Sequence, residues 1–269
     1  MNAAVGRLGK VVLGSYFGLM VVFLYVPLVV LVIFAFNDAY IPALPLSGFT
    51  TKWFHAAFSN TDLTGALKRS AWLALLNGVA ASILGVLAAI AVTGRRLFLR
   101  SVWTTLLLLP LVVPYIVLAI GMVIVIHQLG YQASLVAVLA GHIVISLPYS
   151  ILVIVPRLRT LDESIVEAAR DLGADTVRAF LLVTLPLIVP ALISSALICF
   201  TISFDEFAIA SFLAPPNSPT YPVFLYSGTR TPALEPQVIA LGAIVVTFSI
   251  VLVVGADVSR RVLERRLAA

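Results

Sequence analysis

Long apolar stretches recur along the whole chain, separated by shorter segments in which charged residues and proline collect. Six of them reach membrane-spanning length: Val11 to Phe36, Ser70 to Thr93, Thr104 to Ile126, Leu135 to Val155, Leu187 to Phe204 or a little beyond, and Val238 to Ala256. A hydrocarbon core about 30 Å thick takes roughly 20 residues of helix, since every backbone group must be satisfied internally. The pattern therefore predicts an all-α membrane protein with six transmembrane helices in one domain covering residues 1–269. The first stretch is too long for a signal-peptide core and lacks a small-residue cleavage site, so it is read as a retained span.

Composition agrees with this reading. The 269 residues are 61% hydrophobic and 11% charged, with a mean hydropathy of +1.12, whereas soluble domains are about 25% charged. The formal charge of +5 does not point to nucleic acid, because the basic residues sit in short clusters between apolar runs. Their placement sets topology instead. With the amino terminus inside, Arg7, Lys10, Arg95, Arg96, Arg100, Arg157, Arg159, Arg170, Arg178, Arg260, Arg261, Arg265 and Arg266 are cytoplasmic, while Lys52, Lys68, Arg69 and Arg230 lie outside. That bias places both termini in the cytoplasm. Cys199 is the only cysteine, which excludes an internal disulfide.

Three connections are long: residues 37 to 69 and 205 to 237 outside, and residues 156 to 186 inside. The outer 205 to 237 segment holds Pro215, Pro216, Pro219, Pro222, Pro232 and Pro236 and is expected to form a stiff, non-helical cap. The inner one places Asp162, Glu163, Glu167, Asp171 and Asp175 among four arginines, so it faces water or a polar protein surface. It reads Asp162-Glu-Ser-Ile-Val-Glu-Ala-Ala-Arg-Asp-Leu-Gly173. Ser164 or Asp162 is expected to cap a short helix, with Glu167 three residues after Ser164 as in a capping box, and Gly173 to end it in the left-handed conformation. Ala168 and Ala169 keep one face small, so that another protein surface can approach.

Glu167-Ala168-Ala169, Gly173 and, after nine intervening residues, Val183-Thr184-Leu185-Pro186 resemble the EAA loop of binding-protein-dependent ABC permeases, with Val183 in place of the usual Ile. The resemblance implies a MetI-like ABC importer permease fold in the bacterial inner membrane. It also implies that Glu167, Ala168, Ala169, Arg170 and Gly173 form a coupling helix seated in a cleft of an ATP-binding subunit. A purely structural elbow is the alternative. The implied partners are a dimer of ATP-binding subunits, a second permease subunit in a heterodimer, and a periplasmic or lipoprotein solute-binding protein. No Gly-x-x-x-x-Gly-Lys-[Ser/Thr] phosphate loop occurs in this chain. ATP and magnesium are accordingly assigned to the partner, leaving this chain with no cofactor, no metal and no catalytic residue.

The fifth stretch is followed by Asp205 and Glu206, after which the sequence stays apolar to Ala214. Acids embedded in this way usually face a cavity or a partner, and a carboxylate there suits a cationic solute. Alternatively, the helix ends at Phe204 and the acids mark the water boundary. Ser203-Phe204-Asp205-Glu206-Phe207 resembles the end of the fifth span in spermidine and putrescine permeases, which implies a solute path at Phe204, Asp205, Glu206 and Phe207. In contrast, Pro215-Pro-Asn-Ser-Pro-Thr-Tyr-Pro222 departs from the glycine-containing loop of that group.

Smaller features add less. Gly14 and Gly18 suit close packing of the first span against a neighbour. Pro110, Pro114 and Pro148 are expected to bend spans. His127 and His142 lack the spacing of metal ligands or of a catalytic set. The competing functions are an ABC permease for another small organic solute, a self-sufficient secondary transporter or channel, and an intramembrane enzyme. Five of the six spans carry no charge, which disfavours an ion-coupled carrier. Cys199, Ser194, Ser195 and the histidines form no catalytic constellation in the sequence.

Overall fold

A computed structural model describes residues 7–94, 98–228, 234–247 and 250. The order of helices is α1 (Arg7–Ala35), α2 (Lys52–Ser59), α3 (Thr61–Thr93), α4 (Arg100–Leu108), α5 (Tyr115–Gln128), α6 (Leu135–Arg159), α7 (Glu163–Asp171), α8 (Thr176–Ala179), α9 (Leu185–Phe204), α10 (Ala208–Leu213) and α11 (Tyr221–Gly228). A further apolar helix, α12, covers Glu235–Thr247. The chain divides into two compact units, residues 1–64 with 225–269, and residues 65–224.

Among the described residues, four helical runs are long and apolar enough to cross a bilayer: Gly9–Ala35, Thr61–Thr93, Leu135–Arg159 and Thr176–Phe204. The third expected span, Thr104 to Ile126, is not one helix. α4 and its 3₁₀ extension Leu109–Leu111 meet α5 at 104°. Pro110 lies in the 3₁₀ turn and Pro114 caps α5, and neither has an N–H to carry the helix ladder across the gap. Pro148 behaves differently, because α6 continues through it.

The connection expected inside is shorter than 156 to 186. α6 persists to Arg159, and the fifth span begins at Thr176, reaching Leu185 through a π-helical stretch, Phe180–Thr184. The proline-rich segment 205–237 is also partly helical, which corrects the expectation of a non-helical cap. Pro222 and Pro236 sit in the first turns of α11 and α12, where a missing N–H leaves no helix bond unmade. Pro232, Arg95, Arg96, Arg230, the end of the sixth stretch and the carboxyl-terminal arginines lie outside the described residues.

In the first unit most residues of α1 are exposed, and the Cβ positions of Gly14 and Gly18 have open space around them. The segment after α1 folds back through Asp38 N–H to Gly48 O (3.1 Å) and Thr50 N–H to Phe36 O (2.8 Å). Trp53 of α2 donates to Asn37 O at 2.9 Å, and Asn60 donates to Gln237 of α12 at 3.0 Å.

The second unit is built on α3, α6 and α9, which approach closely because small residues line their contacts. A Cβ on Gly78 would lie 2.8 Å from Ala196 O and one on Gly85 2.6 Å from Ser150 Cβ; between α6 and α10, one on Gly141 would lie 2.5 Å from Ile209 Cγ2. α10 packs on α5 and α6, where Ile145, Ile209, Leu213 and Val138 form the core.

Candidate functional site

The α7 turn is assembled by its own capping residues. The Asp162 carboxylate accepts from Ser164 N–H at 2.9 Å and starts α7. That hydrogen bond holds the Asp162 carboxyl below the usual carboxylate range. Ser164 is therefore not the cap and the Ser164–Glu167 capping box does not form, because Asp162 occupies the N-cap two residues earlier. At the other end Gly173 has φ +88°, with Gly173 N–H donating to Arg170 O (2.8 Å) and Ala174 N–H to Ala169 O (3.0 Å). These two bonds and the left-handed glycine make a Schellman motif.

Glu167, Ala168, Arg170 and Gly173 are exposed and Ala169 is half-buried. Leu172 at the tip is 90% exposed. After Gly173, the Asp175 carboxylate caps α8 through Arg178 N–H at 2.7 Å, and the chain stays helical from Thr176 to Phe204. α7 is thus followed closely by a helical run of 29 residues that ends with α9, about 43 Å at 1.5 Å per residue. Arg157 ties the end of α6 to the same run, donating to Leu187 O from Nε (3.2 Å) and Nη2 (3.0 Å).

Buried polar side chains line the contact of α3, α6 and α9. Asn77 donates to Ser146 Oγ at 2.9 Å and to Cys199 O at 2.8 Å. Ser195 donates to Ser150 Oγ at 2.7 Å and lies 3.0 Å from Ser82 Oγ. Cys199 Sγ–H reaches Ser146 O at 3.6 Å. His142 Nδ1 is 2.7 Å from Ser203 Oγ. No motif marks this seam, yet the sequence holds a signal of it. His142, Ser146 and Ser150, and again Ser195, Cys199 and Ser203, recur every four residues, one face of a helix, within apolar stretches.

The acid pair stands just beyond the last turn of α9 and is divided. Asp205 is exposed, whereas Glu206 is buried. The two oxygens of Glu206 accept from Ile209 N–H (2.9 Å) and Ala210 N–H (3.0 Å) in the first turn of α10. Phe204 is half-buried and Phe207 exposed on either side. The structure thus does not bring Asp205 and Glu206 to one surface as a pair.

Known proteins share this outline. Residues 81–269 match the family described as binding-protein-dependent transport system inner membrane component. The chain is 29% identical over 254 residues to the spermidine/putrescine transport system permease protein PotC of Escherichia coli (strain K12), covering 94% of this chain and 96% of that one. It is 33% identical over 230 residues to the putrescine transport system permease protein PotI of the same strain, covering 83% and 81%. In fold it is similar to a bacterial ABC transporter involved in the import of the acidic polysaccharide alginate, with a TM-score of 0.71 at 16% identity, over 97% of this chain and 98% of that one.

Proposed function

The chain belongs to the binding-protein-dependent transport system inner membrane components, and on that premise we propose that it carries a polyamine or related small cation across the bacterial inner membrane, driven by ATP hydrolysed in a partner subunit. The observation that carries the substrate class is the similarity over 94% of the chain to a spermidine/putrescine permease. Asp205 fits this reading, as an exposed carboxylate at the break between two apolar helices.

The whole chain acts as one permease domain with six spans and both termini in the cytoplasm, α4 and α5 together making the third span. Two ATP-binding subunits grip the α7 turn here and its counterpart on a second, non-identical permease. Closure of the ATPases on ATP and magnesium moves α7. Helices α6 and α9, which leave the turn on either side, tilt with it and switch the path between inward and outward openings. A solute-binding protein delivers the cation outside.

Topology gives a direct check: a reporter fused after Ala269 should be cytoplasmic, and one inserted near Ser218 external. A periplasmic carboxyl terminus would contradict six spans. The substrate is tested by uptake of labelled putrescine or spermidine in cells carrying Asp205→Asn at matched membrane abundance. Asn keeps the size of the side chain and removes its charge. With a charge contact worth about 1.4 kcal/mol in a partly shielded site, the half-saturating concentration rises about tenfold. Unchanged uptake would remove Asp205 from the path.

A further inference from the structure

From the geometry around His142 we infer that Glu206 is a positioning residue, latched by His142 so that α10 stays fixed on α6, and that Asp205 alone of the two acids meets the solute; the part concerning Asp205 rests on the polyamine reading above. His142, on α6, is 1% exposed and Glu206 5%. His142 Nε2 lies 3.3 Å from Glu206 Oε2, a close polar contact that is not aligned as a straight hydrogen bond. On its other side Nδ1 meets Ser203 Oγ at 2.7 Å, which fixes the ring between the last turn of α9 and the acid beyond it.

Glu206 is therefore occupied on every side. Each carboxylate oxygen takes a backbone N–H of α10, one also faces the imidazole, and a solute reaching for it would have to displace all three. Burial of a carboxylate without such partners is costly, so the imidazole and the amides hold it in place. The tie spans the one interruption between α9 and α10, residues 205–207. Asp205 stands in that interruption, and its direction depends on where α10 is held. The opposite wall is equally close, since Gly141, next to His142, faces Ile209 of α10 with no room for a Cβ. α6 enters the α7 turn at its far end. A tilt of α6 imposed there thus acts at His142 on the segment that carries Asp205.

The test uses the complete transporter and measures putrescine and spermidine uptake against concentration, at matched membrane abundance. Asp205→Asn should raise the half-saturating concentration and spare the maximal rate. His142→Gln and Glu206→Gln should do the reverse, lowering the maximal rate about tenfold with half-saturation within about twofold, the split expected when positioning and not solute contact is lost. The double variant should lose no more than the worse single one, because the two side chains act as a unit. Ser203→Ala, which removes one hydroxyl, should show the same split at smaller size, and it carries the test if His142→Gln fails to assemble. A rise in half-saturation for Glu206→Gln matching that of Asp205→Asn would overturn the latch, as would losses that add in the double variant. If Asp205→Asn changes nothing while the pair shows its coupled loss, the solute role of Asp205 falls and the latch stands.

Discussion

Uptake should be abolished by Gly173→Asp and by Glu167→Lys, with membrane insertion of both variants intact. At φ +88° a side chain costs about 1–2 kcal/mol in the left-handed region. An aspartate also adds negative charge at the carboxyl end of α7, unfavourable by about 0.3–1 kcal/mol. The Cβ position itself has nothing within 4 Å, so no packing inside the chain is disturbed. What changes is the Schellman turn and the surface it offers. Glu167→Lys is the cleaner variant, because Glu167 is exposed and surface substitutions normally shift stability by no more than about 0.5 kcal/mol. Loss of uptake together with loss of co-purification with the ATP-binding subunit would then report docking, not folding. Normal uptake by both variants would end the coupling role of α7.

The second large effect concerns the close approach of α3 and α6. In Gly85→Ala the new methyl would meet Ser150 Oγ at 1.9 Å and Ser150 Cβ at 2.6 Å. A hydroxyl can rotate away, but the Cβ cannot, so the two helices must separate. Overpacking of this kind costs about 1–3 kcal/mol, and here it also pulls apart the Asn77–Ser146 hydrogen bond that joins α3 to α6. Membrane abundance and the thermal midpoint of the solubilised complex should both fall. Ser150→Gly removes the obstructing atoms and should restore much of the loss in the double variant, whereas a neutral Gly85→Ala would show that the helices are not so closely packed.

These two sites differ in how far the sequence announces them. α7 is legible because its ends are set by local chemistry, an acid that caps and a glycine that turns the chain, although choosing between Ser164 and Asp162 needs the backbone register. The break of the third span is legible as Pro110 and Pro114, but its angle is not, since proline removes a hydrogen bond without fixing the direction of the next helix. The π-helical stretch Phe180–Thr184 lies just before Pro186, which has no N–H for Leu182 O, but the sequence does not show that the helical run continues back through it to Thr176, well before the expected Leu187. His142 has no ligand-like neighbours in the sequence, and its partners prove to be 61 residues away at Ser203 and further still at Glu206. Local capping is written in short stretches of sequence, whereas helix-to-helix polar contacts depend on which faces meet.

The central claim, that this chain is a passive path worked by an ATPase elsewhere, is tested most directly in proteoliposomes. The complete transporter, reconstituted with its solute-binding protein, is supplied with ATP and labelled putrescine or spermidine, and accumulation is measured beside vesicles holding this chain alone. The account expects accumulation only in the complete system, stopped by omission of ATP or by Glu167→Lys. Accumulation by the chain alone under an ion gradient would contradict it.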